Sequence, residues 1–420
     1  MPEARRVSLW ENAARLSPRV LLGVFAVALV MRAGIFALPH REGDERIYAA
    51  LLDQVRNGSG YTLAGHPILA QDWMIAEQYD TPLFYHPPGG LAWFALFTTL
   101  FGERGWDLSQ LAAFAIFFAA TLALARDALP SYPAVAALTV AFLAAFTPIV
   151  AHVSMHFWLD GPLVAAVAVC SWLMVRAARS GSAGAAAAAG ALLGTAMLIK
   201  MNAAFAVPGM AMLAWAAASE QPARLKLRTL AIVGGVALVC LAPWLAAEVR
   251  VFGTVLPVWA GKPSARLIAD NPFVHQVTAI RTPWAYLRLL PQSLWTLVPS
   301  LAILAVSRPA RREGRVAGAL VCWIAVVTAT NIALGAAGYS KLLRYVVLIT
   351  PATVLLAGMA AAESARLIVE APPGTARRAG GLLLAAALVA GIALEIGHGV
   401  QTIRVYPDRA WIRPLVGDPR

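Results

Sequence analysis

Apolar residues run through this chain in long unbroken stretches separated by short polar breaks, without the alternation of a half-buried sheet. Stretches of 17–20 apolar residues match the length a helix needs to cross a hydrocarbon core of about 30 Å. The pattern predicts eleven spans, at about 20–38, 107–125, 132–151, 161–177, 184–199, 202–218, 229–247, 285–306, 316–335, 342–361 and 380–397. All should be helical, because backbone exposed to lipid has to satisfy its own hydrogen bonds. A twelfth stretch, 87–101, is shorter and opens Pro-Pro-Gly-Gly, which suits an interfacial or re-entrant helix better than a crossing. The fold class expected is therefore all-α and polytopic. Two long loops, about 39–106 and 248–284, are of a length that is usually functional.

Composition strengthens this reading. Of the 420 residues, 60% are hydrophobic and only 13% charged, which excludes both a soluble globular enzyme and a disordered chain. The first apolar run has no small-residue cleavage site and reads as a signal anchor. The run 180–190 is rich in Gly and Ala and reads as a closely packed helix start. Cys170, Cys240 and Cys322 each lie within an apolar run, as small core residues do.

The net charge of +12 is not a nucleic-acid footprint, because the basic residues are scattered between spans. Half of the 34 Lys and Arg residues fall in short segments on one side of an eleven-span chain: 1–19, Arg126, Arg176 with Arg179, 224–228, 308–315 and 366–378. The positive-inside rule makes that side, with the N-terminus, cytoplasmic. If 87–101 crossed, the later basic loops would change sides. The expected location is the inner membrane of a bacterial-type cell. Trp73, Tyr79, Phe84, Tyr85 and Trp93 in the first outer loop suit a helix lying on the bilayer surface.

The residues able to do chemistry gather at the opposite side. Asp44, Glu45, Tyr48, His86, Asp160, Lys200, Lys341, Arg344 and Tyr345 all fall at outer span ends or in outer loops. Ionisable groups at membrane depth are costly and point to function by default. A transporter more often places them near the midplane. Asp44 and Glu45 follow Gly43, which permits an unusual backbone angle. The pair suits acid/base work, or simply a helix start at the positive end of the dipole. Tyr85-His86-Pro87-Pro88-Gly89 forms a rigid turn into the next helix, and His86 could bond a phosphate or sugar. Asp160 serves a helix start or a site. With His152 and His156 it falls at i, i+4 and i+8, a spacing that could hold a divalent metal, although interfacial histidines are common. Lys200 either snorkels to the surface or joins Lys341 and Arg344 in holding a lipid phosphate, with Arg the better bidentate partner.

Taken in order, these pieces resemble the GT-C class of membrane glycosyltransferases, in particular the branch with protein O-mannosyltransferases and lipid A aminoarabinose transferases. The matching residues are Asp44-Glu45, His86-Pro87-Pro88, Asp160, the segment from Gly194 to Lys200, Phe252-Gly253-Thr254 with Pro257, and Ser340-Lys341 through Arg344-Tyr345 with Pro351. The likeness covers about 20–361, which is taken as one transferase module, followed by a loop, a last span and a short tail over 362–420. Gly89-Gly90 departs from the family pattern, and the tail is shorter than in several relatives.

The resemblance implies an inverting transfer of a hexosyl or pentosyl group from a polyprenyl-phosphate-linked donor to a hydroxyl of a lipid, glycan or protein. Asp44 would be the base, with Glu45 and Asp160 orienting hydroxyls. Lys200, Lys341 and Arg344 would stabilise the departing phosphate, and His86, Tyr345 and Tyr48 would line the substrate site. A divalent metal is the one candidate cofactor. The rival reading is a transporter or flippase for a lipid-linked or phosphorylated substrate.

Overall fold

In a computed structural model of the chain, the described residues are 17–404 without 38–42, 72–73, 75–78, 130–132, 256–283, 285, 288–289, 291–293, 308, 338–342 and 373. Every regular element among them is helical. In chain order the α-helices are α1 (Pro18–Arg32), α2 (Asp44–Arg56), α3 (Gly89–Phe101), α4 (Gly105–Ala128), α5 (Ala134–Phe146), α6 (Pro148–Val153) and α7 (Asp160–Ser180). They continue with α8 (Ala183–Ile199), α9 (Val207–Ala217), α10 (Ala223–Phe252), α11 (Leu297–Ser307), α12 (Arg311–Ala336), α13 (Thr350–Glu370) and α14 (Ala376–Arg404).

Among the described residues seven segments are long and apolar enough to cross a bilayer, and four shorter apolar helices stand where the other expected spans fall. The polytopic all-α architecture expected from the apolar pattern is therefore present. The most apolar stretch of the segment containing α13 is 89% buried, against 22% for those of α1, α10 and α14, so α13 is central and those three are peripheral. The peripheral helices turn Val30, Leu238, Val239, Leu383 and Val389 outward, as a lipid-facing surface requires.

Three local features position the site. The first is the apolar stretch Gly89–Ala128, which is not one long helix. Gly102, at φ 60° and ψ −143°, ends α3, and Gly105 packs against the backbone of Phe97 and Thr98. Helix α3 therefore folds back along the start of α4, with Trp93 Nε1 donating to the Ser109 carbonyl at 3.3 Å and the Phe94 and Trp106 rings 5.1 Å apart. Its 13 residues extend about 20 Å, too short to cross.

The second feature corrects the expected continuous span 132–151. Thr147 is extended before Pro148, as a residue preceding proline tends to be, and so separates α5 from α6. Helix α6 then stops at Val153, leaving a non-helical connection, 154–159, before α7.

Close helix approach is the third. Gly181, at φ 68°, ends α7, and the Ser182 hydroxyl caps α8 by accepting from the Ala185 amide at 3.2 Å. A Cβ on Gly190 or Gly194 would stand only 2.7 Å from the Val233 carbonyl oxygen or 2.6 Å from the Cys240 Cβ of α10. The small residues of this run thus let α8 and α10 meet closely. All three cysteines are free.

Candidate active site

The site is assembled from helix ends that meet at one end of the bundle. Gly43 takes φ 52° and ψ −119°, a conformation that favours glycine, and so turns the chain into α2 with Asp44 and Glu45 in its first turn. Asp160 opens α7 in the same way. Both carboxylates therefore sit where the helix dipole favours negative charge. Lys200 is a single extended residue, at φ −160° and ψ 125°, between α8 and the 3₁₀ turn Met201–Ala206. Arg344 and Tyr345 open the 3₁₀ turn Leu343–Ile349 that leads into α13.

These groups form one network. Lys200 Nζ donates to Asp160 Oδ1 at 2.9 Å, and both side chains are buried. Arg344 donates through Nη2 to Asp44 Oδ2, and its Nε stands 3.7 Å from Asp160 Oδ2. Asp160 thus faces both cations, whereas Asp44 engages Arg344 and keeps 31% of its side chain accessible. Burial opposes ionisation of Asp44, but the charge and hydrogen bond of Arg344, with Lys200 and His86 nearby, hold its pKa below the usual value.

Rings surround the network. The Arg344 guanidinium carbon lies 4.4 Å from the Trp158 ring centroid, and Lys200 Nζ lies 4.9 Å from that of Tyr345. The Tyr79 and Tyr85 hydroxyls are 3.5 Å apart, and the Tyr85 and His86 rings 4.3 Å. The Tyr61 hydroxyl anchors this turn by donating to the His86 carbonyl at 2.9 Å. Burial pushes the His86 imidazole down to about 3, with Lys200 acting the same way, so the ring is neutral at ordinary pH. Burial also holds Tyr48 and Tyr85 well above the usual phenol value, which keeps both as hydroxyls.

Gly89 and Gly90 have a steric reason. A Cβ on Gly89 would stand 2.8 Å from the Leu198 backbone, and one on Gly90 would stand 2.3 Å from the Leu159 side chain. The two glycines let the His86 turn lie against the chain just before Lys200 and just before Asp160.

Asp44, Tyr48, His86, Asp160, Lys200, Arg344 and Tyr345 are thereby brought together, and Lys341 lies outside the described residues. Glu45 turns away from the network: its Oε1 accepts from the Phe157 amide at 3.0 Å and faces His156 Nδ1 at 3.2 Å. The metal arrangement of His152, His156 and Asp160 does not form. The single helix it required stops at Val153, so the i, i+4, i+8 register is lost. Instead His156 stacks on Trp158, and Asp160 takes Lys200. Among the described residues no group of three or more His, Cys, Asp or Glu side chains could hold a metal.

Of the loop aromatics that suit a surface belt, Phe84 is buried, and Tyr79 and Tyr85 stand near Asp44. Trp73 lies outside the described residues. Trp158 carried no signal in the sequence beyond sitting two residues before Asp160.

Residues 85–246 match the family model described as dolichyl-phosphate-mannose-protein mannosyltransferase. The fold is similar to ArnT from Cupriavidus metallidurans in the apo state, with a TM-score of 0.55 and 19% identity over 94% of this chain and 75% of that one. ArnT bound to undecaprenyl phosphate gives a TM-score of 0.52 at 19% identity, over 99% of this chain and 76% of that one. The archaeal oligosaccharyltransferase AglB from Archaeoglobus fulgidus, in complex with an inhibitory peptide and a dolichol-phosphate, gives 0.50 at 12% identity, over 91% of this chain and 56% of that one. No curated protein sequence matches the chain. The chain is a multi-pass membrane protein of the GT-C glycosyltransferase fold. Within that class its architecture is ArnT-like.

Proposed function

We propose that this protein is an inverting glycosyltransferase that moves a sugar from a polyprenyl-phosphate-linked donor to an acceptor hydroxyl. The observation that carries the reading is the meeting of two cations, Lys200 and Arg344, with a partly accessible carboxylate, Asp44, at one end of the bundle. A transferase of this kind needs a base for the acceptor and positive charge for the leaving phosphate, held within one site. The family match over 85–246 and the ArnT-like fold point the same way.

In the proposed step, the acceptor oxygen attacks the anomeric carbon from the face opposite the phosphate. Its proton passes to the Asp44 carboxylate as the new C–O bond forms. The bond from the anomeric carbon to the phosphate oxygen breaks, and polyprenyl phosphate leaves with the added negative charge. Lys200 and Arg344 meet that charge, and Asp160 fixes both cations from behind. Neutral His86 and the hydroxyls of Tyr48, Tyr85 and Tyr345 offer hydrogen bonds to the sugar. The fold-back helix α3 and the His86 turn shield the sugar from water, the competing acceptor.

Arg344 already engages Asp44, so the donor phosphate has to take that donor position. Exchange of the guanidinium from carboxylate to phosphate frees Asp44 and raises its proton affinity. Donor binding thereby readies the base.

Arg126, Arg179, Arg228, Arg312, Arg315 and Arg378 mark the opposite end of the bundle, which the positive-inside rule makes cytoplasmic. The site then faces outward across the inner membrane of a bacterial-type cell. Reconstitution in sealed vesicles with labelled polyprenyl-phosphate-linked sugars and candidate acceptors tests the reading. The expected result is a new glycosidic product. Labelled lipid crossing the bilayer with no such product would indicate a flippase instead.

A further inference from the structure

We infer that Glu45 is a positioning residue that holds Trp158 under Arg344, and not a second acid or base beside Asp44. The inference rests on the reading of Arg344 as a ligand of the donor phosphate. Neighbouring residues on a helix diverge by about 100°, so Asp44 and Glu45 leave α2 in different directions. Asp44 reaches Arg344 directly. Glu45 is buried and turns to the 154–159 connection, where its Oε1 accepts from the Phe157 amide at 3.0 Å and lies 3.2 Å from His156 Nδ1. His156 stacks on Trp158 with centroids 3.8 Å apart and planes 6° from parallel. The opposite partner of Trp158 is the Arg344 guanidinium, 4.4 Å from its ring centroid.

The two acids therefore act on one arginine by separate routes, one by contact and one through His156 and Trp158. The connection leaves α6 through the Ser154 amide, which donates to the Val150 carbonyl at 3.1 Å, and the Met155 amide, which donates to the His152 carbonyl at 3.0 Å. It is pinned at its start by buried Arg32, whose Nε donates to Ser154 Oγ at 2.8 Å while Nη2 donates to the Ala145 carbonyl at 2.7 Å. Gln110 Nε2 donates to the Trp158 carbonyl at 3.2 Å. Glu45 supplies the anchor in the middle. The Trp158 face fixes the plane of the guanidinium, and a fixed plane is what bidentate capture of a phosphate demands.

The test uses the full chain in nanodiscs, with undecaprenyl phosphate as the probe and hydrogen exchange of the peptide covering 154–159 as a second readout. Glu45→Gln keeps an acceptor oxygen for the Phe157 amide, so affinity should stay within about twofold of the parent and exchange should stay slow. Glu45→Ala should weaken binding about tenfold and speed exchange, and Trp158→Leu should weaken binding by a similar factor while Trp158→Phe largely restores it. The double variant Glu45→Ala/Trp158→Leu should be no weaker than either single, because both break one chain of contacts. Equal losses in Glu45→Gln and Glu45→Ala would overturn the inference, as would unchanged exchange in Glu45→Ala. If the parent protein itself fails to bind undecaprenyl phosphate, the phosphate reading falls, and the exchange comparison still decides whether Glu45 holds the connection.

Discussion

Arg344 donates from Nη2 to Oδ2 of Asp44, so the group proposed to bind the donor phosphate occupies the group proposed to act as base. Binding and catalysis therefore compete for one guanidinium. Asp44→Asn should abolish sugar transfer and yet bind undecaprenyl phosphate more tightly, by about tenfold, because a neutral amide yields the guanidinium more readily than a carboxylate. Arg344→Ala should weaken the same binding. Titration of undecaprenyl phosphate into each variant by calorimetry or native mass spectrometry checks both, and weaker binding by Asp44→Asn would rule out the competition.

The same contact sets a pH dependence. Arg344 stabilises the ionised form of Asp44 and lowers its pKa, so in the free protein the base stays ionised to lower pH than a free aspartate does. Donor binding draws the guanidinium to the phosphate and removes part of that stabilisation, so the pKa rises. The acid limb of kcat should therefore lie at higher pH than the acid limb of kcat/KM. Arg344→Gln should move the limb of kcat/KM upward. His86, already neutral, should contribute no limb near pH 6–7. Steady-state rates across pH 4–9 read all three.

The Lys200–Asp160 pair is buried on both sides, with a 2.9 Å contact. Removing one partner leaves the other charge without compensation in a low-dielectric site. Asp160→Ala should cost about 3–5 kcal/mol of stability, with Lys200→Met costing less because Asp160 retains Arg344. Thermal melts of the solubilised protein, with circular dichroism to confirm the helical baseline, give the ranking. Equal, negligible shifts would mean that water reaches the pair.

Glycines should divide by surroundings. Gly89→Ala puts a Cβ 2.8 Å from the Leu198 backbone, which has no rotamer with which to yield, so a loss of about 1–3 kcal/mol is expected together with weaker phosphate binding. Gly235→Ala, in the middle of α10 with nothing within 4 Å, should be neutral or stabilising by up to about 1 kcal/mol. Melting temperatures of the two variants provide the comparison.

The span pattern was legible because crossing a bilayer imposes a length and an apolarity on each helix, and both are properties of contiguous sequence. Grouping Asp44, His86, Asp160, Lys200 and Arg344 at one end needed only the parity of the spans. The contacts among them were not legible, since they depend on how five separate segments pack. The metal reading of His152, His156 and Asp160 assumed one continuous helix. The break at Thr147-Pro148 and the stop at Val153 remove that helix, and the connection that follows is held by Arg32 and Glu45. Phe84, Tyr79 and Tyr85 resembled a surface belt because inward- and outward-facing aromatics look alike in a loop without periodicity. Trp158 was missed because its partner, Arg344, comes from the other half of the chain.

The central claim is that sugar transfer proceeds through Asp44. It is tested most directly by comparing cells that carry the parent chain with cells that carry Asp44→Asn at equal membrane abundance, using mass spectrometry of polyprenyl-phosphate sugars and glycoconjugates. The account predicts that the variant loses one glycosylated product and accumulates the corresponding polyprenyl-phosphate-linked sugar. Identical profiles in the two strains, with the product present in both, would contradict it.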